Sequence, residues 1–201
     1  MDSKTLNNST EASNKGSLAI TRAEYARYYG RYDLHRRLIY LTSYFPWTLM
    51  LPRVLGGGFW WQRAREHFLY GDTNPAIILD PEKGLVASFT DLDVCIMGRF
   101  PVVKIFYEKL YLIESGVQRG QRFAAISLYS SKNSPDAERW GSFFPVVVDC
   151  ISTQNILCEQ VKAKIPESHW NALDTGLMQI PTPTEIGLYE IQLSEEMKAQ
   201  L

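Results

Sequence analysis

The chain has 201 residues, of which 45% are hydrophobic and 21% charged, with a formal net charge of -1 at neutral pH. These proportions are those of a globular protein and exclude collagen-like, coiled-coil and wholly disordered chains. A near-zero net charge also argues against a whole-protein polyanion binder.

The net figure hides a division. From Thr21 to Tyr70 the sequence carries eight cations, all arginine, against three acids, whereas from Gly71 onward it carries eleven cations against seventeen acids. Arginine pairs with carboxylates bidentately and stacks on aromatic rings. The aromatic segment holding Arg36, Arg37, Trp47, Arg53, Trp60, Trp61 and Arg63 is therefore the candidate interaction surface. The expected organisation is a disordered tail over 1–20, an Arg- and aromatic-rich helical segment over 21–70 and a β-rich domain over 71–201.

The tail assignment follows from a polar N-terminus with few apolar side chains to offset its ordering entropy. Thr21 and Glu24 have the spacing of a capping box, which predicts a helix start. Tyr25, Tyr28, Tyr29 and Tyr32 recur on one helical face and read as packing residues. Residues 38–55 are long enough to cross a bilayer, but Pro46, Pro52, Arg53 and several hydroxyls make a poor span. The segment is expected to cover the β domain; the alternatives are a peripheral membrane anchor over 38–61 or a crossing segment. Gly56–Gly58 reads as a hinge, Phe59–Leu69 as a helix, and Gly71 as its left-handed cap.

Beyond Gly71 the pattern becomes extended. Ala76–Leu79 and Leu85–Thr90 flank the turn Asp80-Pro81-Glu82-Lys83-Gly84 and predict a hairpin. Phe100–Tyr107 and Arg122–Tyr129 are read as the arms of a second, central hairpin, rich in β-branched and aromatic residues. The latter arm sets Ala124, Ile126 and Leu128 on a dry face against Phe123, Ala125, Ser127 and Tyr129 on an amphipathic one. A further strand opens at Phe144-Pro145. A helix capped by Ser152 or Thr153 comes next, then a helix opened by Pro166 and closed by Gly176, and a last strand at Leu188–Leu193.

No motif of a known catalytic class is present. His35, His67 and His169 have no metal-binding spacing, and no metal or cofactor is expected. Asp72, Asp91 and Asp93 fall in loops that could converge as a divalent-ion site, but solvated turn acids are the commoner case. Asp149, Cys150 and His169 could assemble a thiol nucleophile and base, although a cysteine beside a valine run is usually a small buried hydrophobe. Cys95, Cys150 and Cys158 match no disulfide framework, and the N-terminus lacks a signal-peptide pattern, so a cytoplasmic location is expected, with membrane association as the variant.

The sequence reading is thus an α+β protein with a mostly antiparallel sheet or small barrel of about six strands, an N-terminal helical region, and two helices inserted near the C-terminus. The expected function is a non-catalytic interaction or structural module that self-associates or binds a protein partner through its N-terminal segment. Nucleic acid is disfavoured because the candidate β platform is acidic. The alternatives are a small-molecule hydrolase or transferase with its site at loops 91–99 and 130–139, and a protein held on an anionic membrane surface.

Overall fold

The computed structural model describes residues 14–30, 55–93, 99–130 and 139–201, with the backbone alone over 55–60. Nine-residue and seven-residue strands β1 (Asp72–Asp80) and β2 (Leu85–Asp91) form the expected hairpin, with Gly84 at φ +68° closing its turn. Around them lie β3 (Pro101–Tyr107), β4 (Arg122–Tyr129), β5 (Phe143–Val147) and β6 (Gly187–Glu190), giving one antiparallel six-stranded sheet in the order β5-β4-β1-β2-β3-β6. The class is α+β, as the sequence indicated.

The central hairpin is not a hairpin. β3 pairs with β2 and β6, β4 pairs with β1 and β5, and the β1–β2 hairpin lies between them. The connection from Glu108 to Gln121 is too long for a tight turn and has its own work: a 3-10 turn at Leu110–Leu112 buries Leu110 and Ile113 against one face of the sheet. The chain then returns beside β1, where Gly120 N–H donates to Ile78 O and Ile78 N–H to Gln121 O.

The sheet is curled into a half-barrel. Four strand steps separate β3 from β5, which in a flat sheet is roughly 19 Å, far beyond the reach of a lysine. Yet the Lys104 ammonium on β3 donates to Phe143 O on β5 and to Ser142 Oγ at 3.2 Å. Arg139, just before β5, pairs with Glu190 on β6. Side chains therefore link β3 and the edge strand β6 to β5 and its approach, and among the described residues no backbone ladder closes the barrel.

Both faces of the sheet are buried. The convex face carries Ala87, Phe89, Val103, Ile105, Ala124 and Ile126 under the helices. These are α1 (residues 22–30), α2 (Leu55–Tyr70), α4 (Asn155–Lys162) and α5 (Glu167–Gln179), with α3 (Val148–Ile151) and α6 (Glu195–Gln200) as short pieces beside them. The concave face is filled by one apolar cluster around Ile78, Val86, Phe106 and Phe123 and another around Val102, Trp140 and Phe143. Between these two clusters runs a buried polar band of Asn74, Ser88, Thr90 and Ser127. Ser127 is fully buried, so the amphipathic face of β4 turns its hydroxyl into the interior of the curl and not to solvent.

Two glycines act differently from the sequence reading. Gly176 lies inside α5 and does not end it; a Cβ there would sit 2.7 Å from side-chain atoms of Val103 and Ile191, so it lets the helix approach the sheet closely. The triplet Gly56–Gly58 lies within the first turn of α2 and is helix, not hinge.

Candidate functional site

The N-terminal stretch is fixed to the β domain at three carboxylates, the buried Glu24 and Glu108 and the half-buried Asp72. Residues 14–20, assigned by sequence to the disordered tail, run as an extended strap over the start of β1. Gly16 N–H donates to Gly71 O, Leu18 N–H to Phe68 O and Thr73 N–H to Asn14 O, and Leu18 and Ile20 are buried in the main core. Two apolar side chains in a polar context gave too weak a periodic signal to be read.

Asp72 is the first carboxylate. Its Oδ1 accepts Asn14 N–H at 3.3 Å from the strap, and its Oδ2 accepts the Tyr129 hydroxyl at 2.8 Å, which also shares a hydrogen bond with Thr90 Oγ1 at 2.7 Å. Burial pushes the Asp72 carboxyl up to about 6 against these hydrogen bonds.

Glu24 is the second. The capping box forms as expected: Thr21 N–H and Oγ1 both donate to Glu24 Oε2, and Glu24 N–H donates to Thr21 Oγ1. The other oxygen leaves the helix and accepts Ser152 Oγ at 2.9 Å and Thr153 N–H at 3.3 Å. Burial opposes ionisation here, but the donated bonds from Thr21, Ser152 and Thr153 outweigh it and hold the carboxyl below its usual range.

Glu108 is the third. It accepts the Tyr28 hydroxyl at 2.8 Å, Val147 N–H at 3.0 Å and Lys109 N–H at 2.7 Å, and burial is the main cause of its raised pKa. Burying a carboxylate is costly unless donors satisfy it. Here each acid has them, and each set of donors joins residues 14–28 to the β domain.

The return of the chain is anchored as well. In α2, Ala64, His67 and Phe68 face the core, and the ring of His67 hydrogen-bonds Ile126 O at 2.8 Å through Nε2. Burial lowers the His67 pKa to about 4, so the ring is neutral. Gly71 does not adopt the expected left-handed conformation; it is packed so closely that a Cβ would lie 2.4 Å from His67 O and 2.8 Å from Ser127 O.

Of the sequence-derived interaction residues, Arg36, Arg37, Trp47 and Arg53 lie outside the described residues, as do Tyr32 and Cys95, and Trp60 is described by its backbone alone. Trp61 is partly buried: its ring meets Tyr25 edge-on at 5.6 Å, and the Arg22 guanidinium lies 5.8 Å from it, so it joins α1 to α2. Arg63 is half-buried on α2.

The other candidates separate. Cys150 belongs to the concave cluster, with its thiol pushed up by burial, whereas His169 meets Phe89 on the helical side, so the sheet divides the proposed dyad. Asp72 and Asp91 lie at one end of the sheet, where Asp91 accepts Phe100 N–H and Asp93 N–H within its own loop. Register places them on opposite faces. Among the described residues no cluster of His, Cys, Asp and Glu is gathered for a metal, and no helix is long and apolar enough to cross a membrane. Loops 91–99 and 130–139 do meet at their described ends: Asp93 bridges Arg139, and Trp140 N–H donates to Leu92 O.

Comparison with known families finds that DUF3239, described as a protein of unknown function, matches residues 61–181. The chain belongs to this family. The DUF3239 match begins at Trp61 within α2 and ends at Pro181, so it takes in the first five strands while the strap, α1 and β6 lie outside it. Among curated proteins nothing matches the sequence. One solved structure resembles it, a "putative membrane protein" from Corynebacterium diphtheriae, at 17% identity and a TM-score of 0.47, covering 60% of this chain and 100% of that one.

Proposed function

We propose that this DUF3239 protein is a non-catalytic interaction module whose half-barrel is a rigid base presenting residues 31–54 to a partner. The observation that carries the reading is the set of three hydrogen-bonded carboxylates, the half-buried Asp72 and the buried Glu24 and Glu108, each of which ties residues 14–28 to the β domain. Fixing a helix of nine residues at such desolvation cost makes sense where the position of the segment leaving its C-terminus matters. That segment, residues 31–54, carries four arginines against one acid, with Tyr32, Tyr40, Tyr44, Phe45 and Trp47 among them, a composition suited to a protein–protein contact.

The partner we favour is a second copy of the chain or another protein. Replacing residues 31–54 by a short Gly/Ser linker should leave thermal unfolding cooperative and abolish association in sedimentation velocity. A linker variant that associates like the parent chain would remove the proposal. Binding of the parent, but not the linker variant, to anionic vesicles would replace the protein partner by a membrane surface.

A second reading is supported by the meeting of loops 91–99 and 130–139 beside the Asp72–Tyr129–Thr90 network. It makes the chain a small-molecule enzyme, and turnover that vanishes in Tyr129→Phe would favour it.

A further inference from the structure

The two edge strands of the sheet differ in what their outward backbone groups meet, and the alternation of an antiparallel ladder shows which groups those are. At the β5 edge, Ser130 N–H donates to Ser142 O, so Phe143, Pro145 and Val147 turn their backbone groups away from β4. That edge is blocked. Phe143 O takes the Lys104 ammonium, Pro145 has no N–H, and Val147 N–H donates to Glu108. At the β6 edge, Ile191 N–H donates to Pro101 O, so Leu188 and Glu190 face outward from β3, and among the described residues their backbone N–H and C=O groups have no partner. The open stretch ends at Gln192, whose N–H and C=O are both bonded by the Gln179 side-chain amide.

Sheet edges are commonly protected by lysine, proline or a bulge. The β5 edge has the first two, whereas β6 has none of them. Its edge carries Leu188, with Ile186 just before it, both exposed, and the charges between Thr182 and Ser194 are Glu185 and Glu190, the latter paired with Arg139. An extended segment with apolar side chains for Ile186 and Leu188 and cations for the acids fits such an edge by strand addition. Residues 36–45 have that composition: Arg36 and Arg37 open a stretch that holds Ile39, Tyr40, Thr42 and Tyr44 and neither Gly nor Pro. We infer that the β6 edge receives residues 36–45 of a second copy as an added strand. The inference rests on the proposed role of residues 31–54 and names the surface that they bind.

The test is sedimentation velocity and amide hydrogen exchange on the full chain. Leu188→Pro removes an outward N–H that the β3–β6 ladder does not use, so it should keep cooperative thermal unfolding and weaken association at least tenfold. A synthetic peptide of residues 36–45 should compete with association of the parent. At dilutions where the parent is monomeric, the peptide should slow exchange at the amides of Leu188 and Glu190 at least tenfold, and the same peptide carrying Tyr40→Pro and Thr42→Pro should do neither. Undiminished association of Leu188→Pro, or unchanged exchange at Leu188 and Glu190 in excess peptide, overturns the inference and leaves the role of residues 31–54 standing. A parent chain that is monomeric at every concentration removes the second copy as partner, and the inference with it. Should Leu188→Pro fail to fold, Leu188→Lys, which puts a charge on the edge and leaves the backbone as it is, decides in its place.

Discussion

The Tyr28 hydroxyl donates to the Glu108 carboxylate at 2.8 Å across eighty positions of sequence, joining α1 to the connection that leaves β3. The two ends are unequal. Tyr28→Phe removes one donor and leaves Glu108 with the N–H groups of Val147 and Lys109, so it should cost about 1–2 kcal/mol in denaturant unfolding. Glu108→Ala strands the phenol and the buried Val147 N–H together and should cost about 3 kcal/mol or more. The double variant should lose little beyond Glu108→Ala, and additivity of the two changes would refute the bond's role.

Gly71 carries a prediction that conformational preference alone would not make. Its φ is not in the left-handed region, so alanine is acceptable to the backbone, yet a Cβ would meet two carbonyl oxygens from α2 and β4 at under 3 Å. Gly71→Ala should therefore destabilise by more than about 1 kcal/mol, whereas Gly116→Ala, at φ +71° with open space around it, should cost about 1 kcal/mol from backbone strain alone. Equal melting temperatures for Gly71→Ala and the parent would contradict the close approach.

Asp72 fixes a sign for pH dependence. Its folded-state carboxyl is raised by burial to about 6, above the roughly 3.9 of an unfolded aspartate, so between these values the folded protein binds the proton more tightly. The contribution of Asp72 to stability thus grows as pH falls from about 6 to about 4. Among the described residues the groups that hydrogen-bond it are the Tyr129 phenol and the Asn14 and Thr73 N–H groups. Asp72→Asn should flatten the rise in melting temperature over that window. An unchanged profile would show that the carboxyl titrates normally. Glu24 works in the opposite sense, its lowered carboxyl contributing stability that is lost in stronger acid.

Substitution on β4 shows how much of the fold was legible. The alternation about Ala124 and Ile126 marks the strand and its core face, although Leu128 at its end is only half-buried, and the turn at Asp80–Gly84 and the capping box at Thr21–Glu24 form as their sequences indicate. These signals are local, carried by period, turn chemistry and a three-residue spacing. Curl is not local. Whether Ser127 faces water depends on Lys104 of β3 reaching Phe143 of β5, which no window of sequence contains. The same holds for strand order and for the partners of Asp72 and Glu108. Gly71 and Gly176 were misread because a glycine required by a close neighbour looks, in sequence, like one that ends a helix. Ile126→Asp should accordingly be severe, by about 3–5 kcal/mol, and Ser127→Asp should be damaging too, since it buries a charge beside Asp72. Normal folding of Ser127→Asp would reopen the half-barrel description.

The last prediction separates the base from the segment it carries. The strap and α2 cover the convex face of β1 and β4: Leu18 and Phe68 share the core with Ala124 and Ile126, and His67 caps Ile126 O. A fragment beginning at Gly71 would expose these side chains, and burying a leucine or phenylalanine of this kind is worth about 2–3 kcal/mol each. Domains of this size are stable by only about 5–15 kcal/mol in all. The fragment 71–201 should therefore be unfolded or aggregated on its own. A chain that keeps residues 14–30 and 55–201, with a Gly/Ser linker across 31–54, should fold with a melting temperature close to that of the parent. If the fragment from Gly71 proves soluble and cooperatively folded, the strap, α1 and α2 are an appendage to the half-barrel, and the three carboxylate clamps contribute nothing essential to holding the base together.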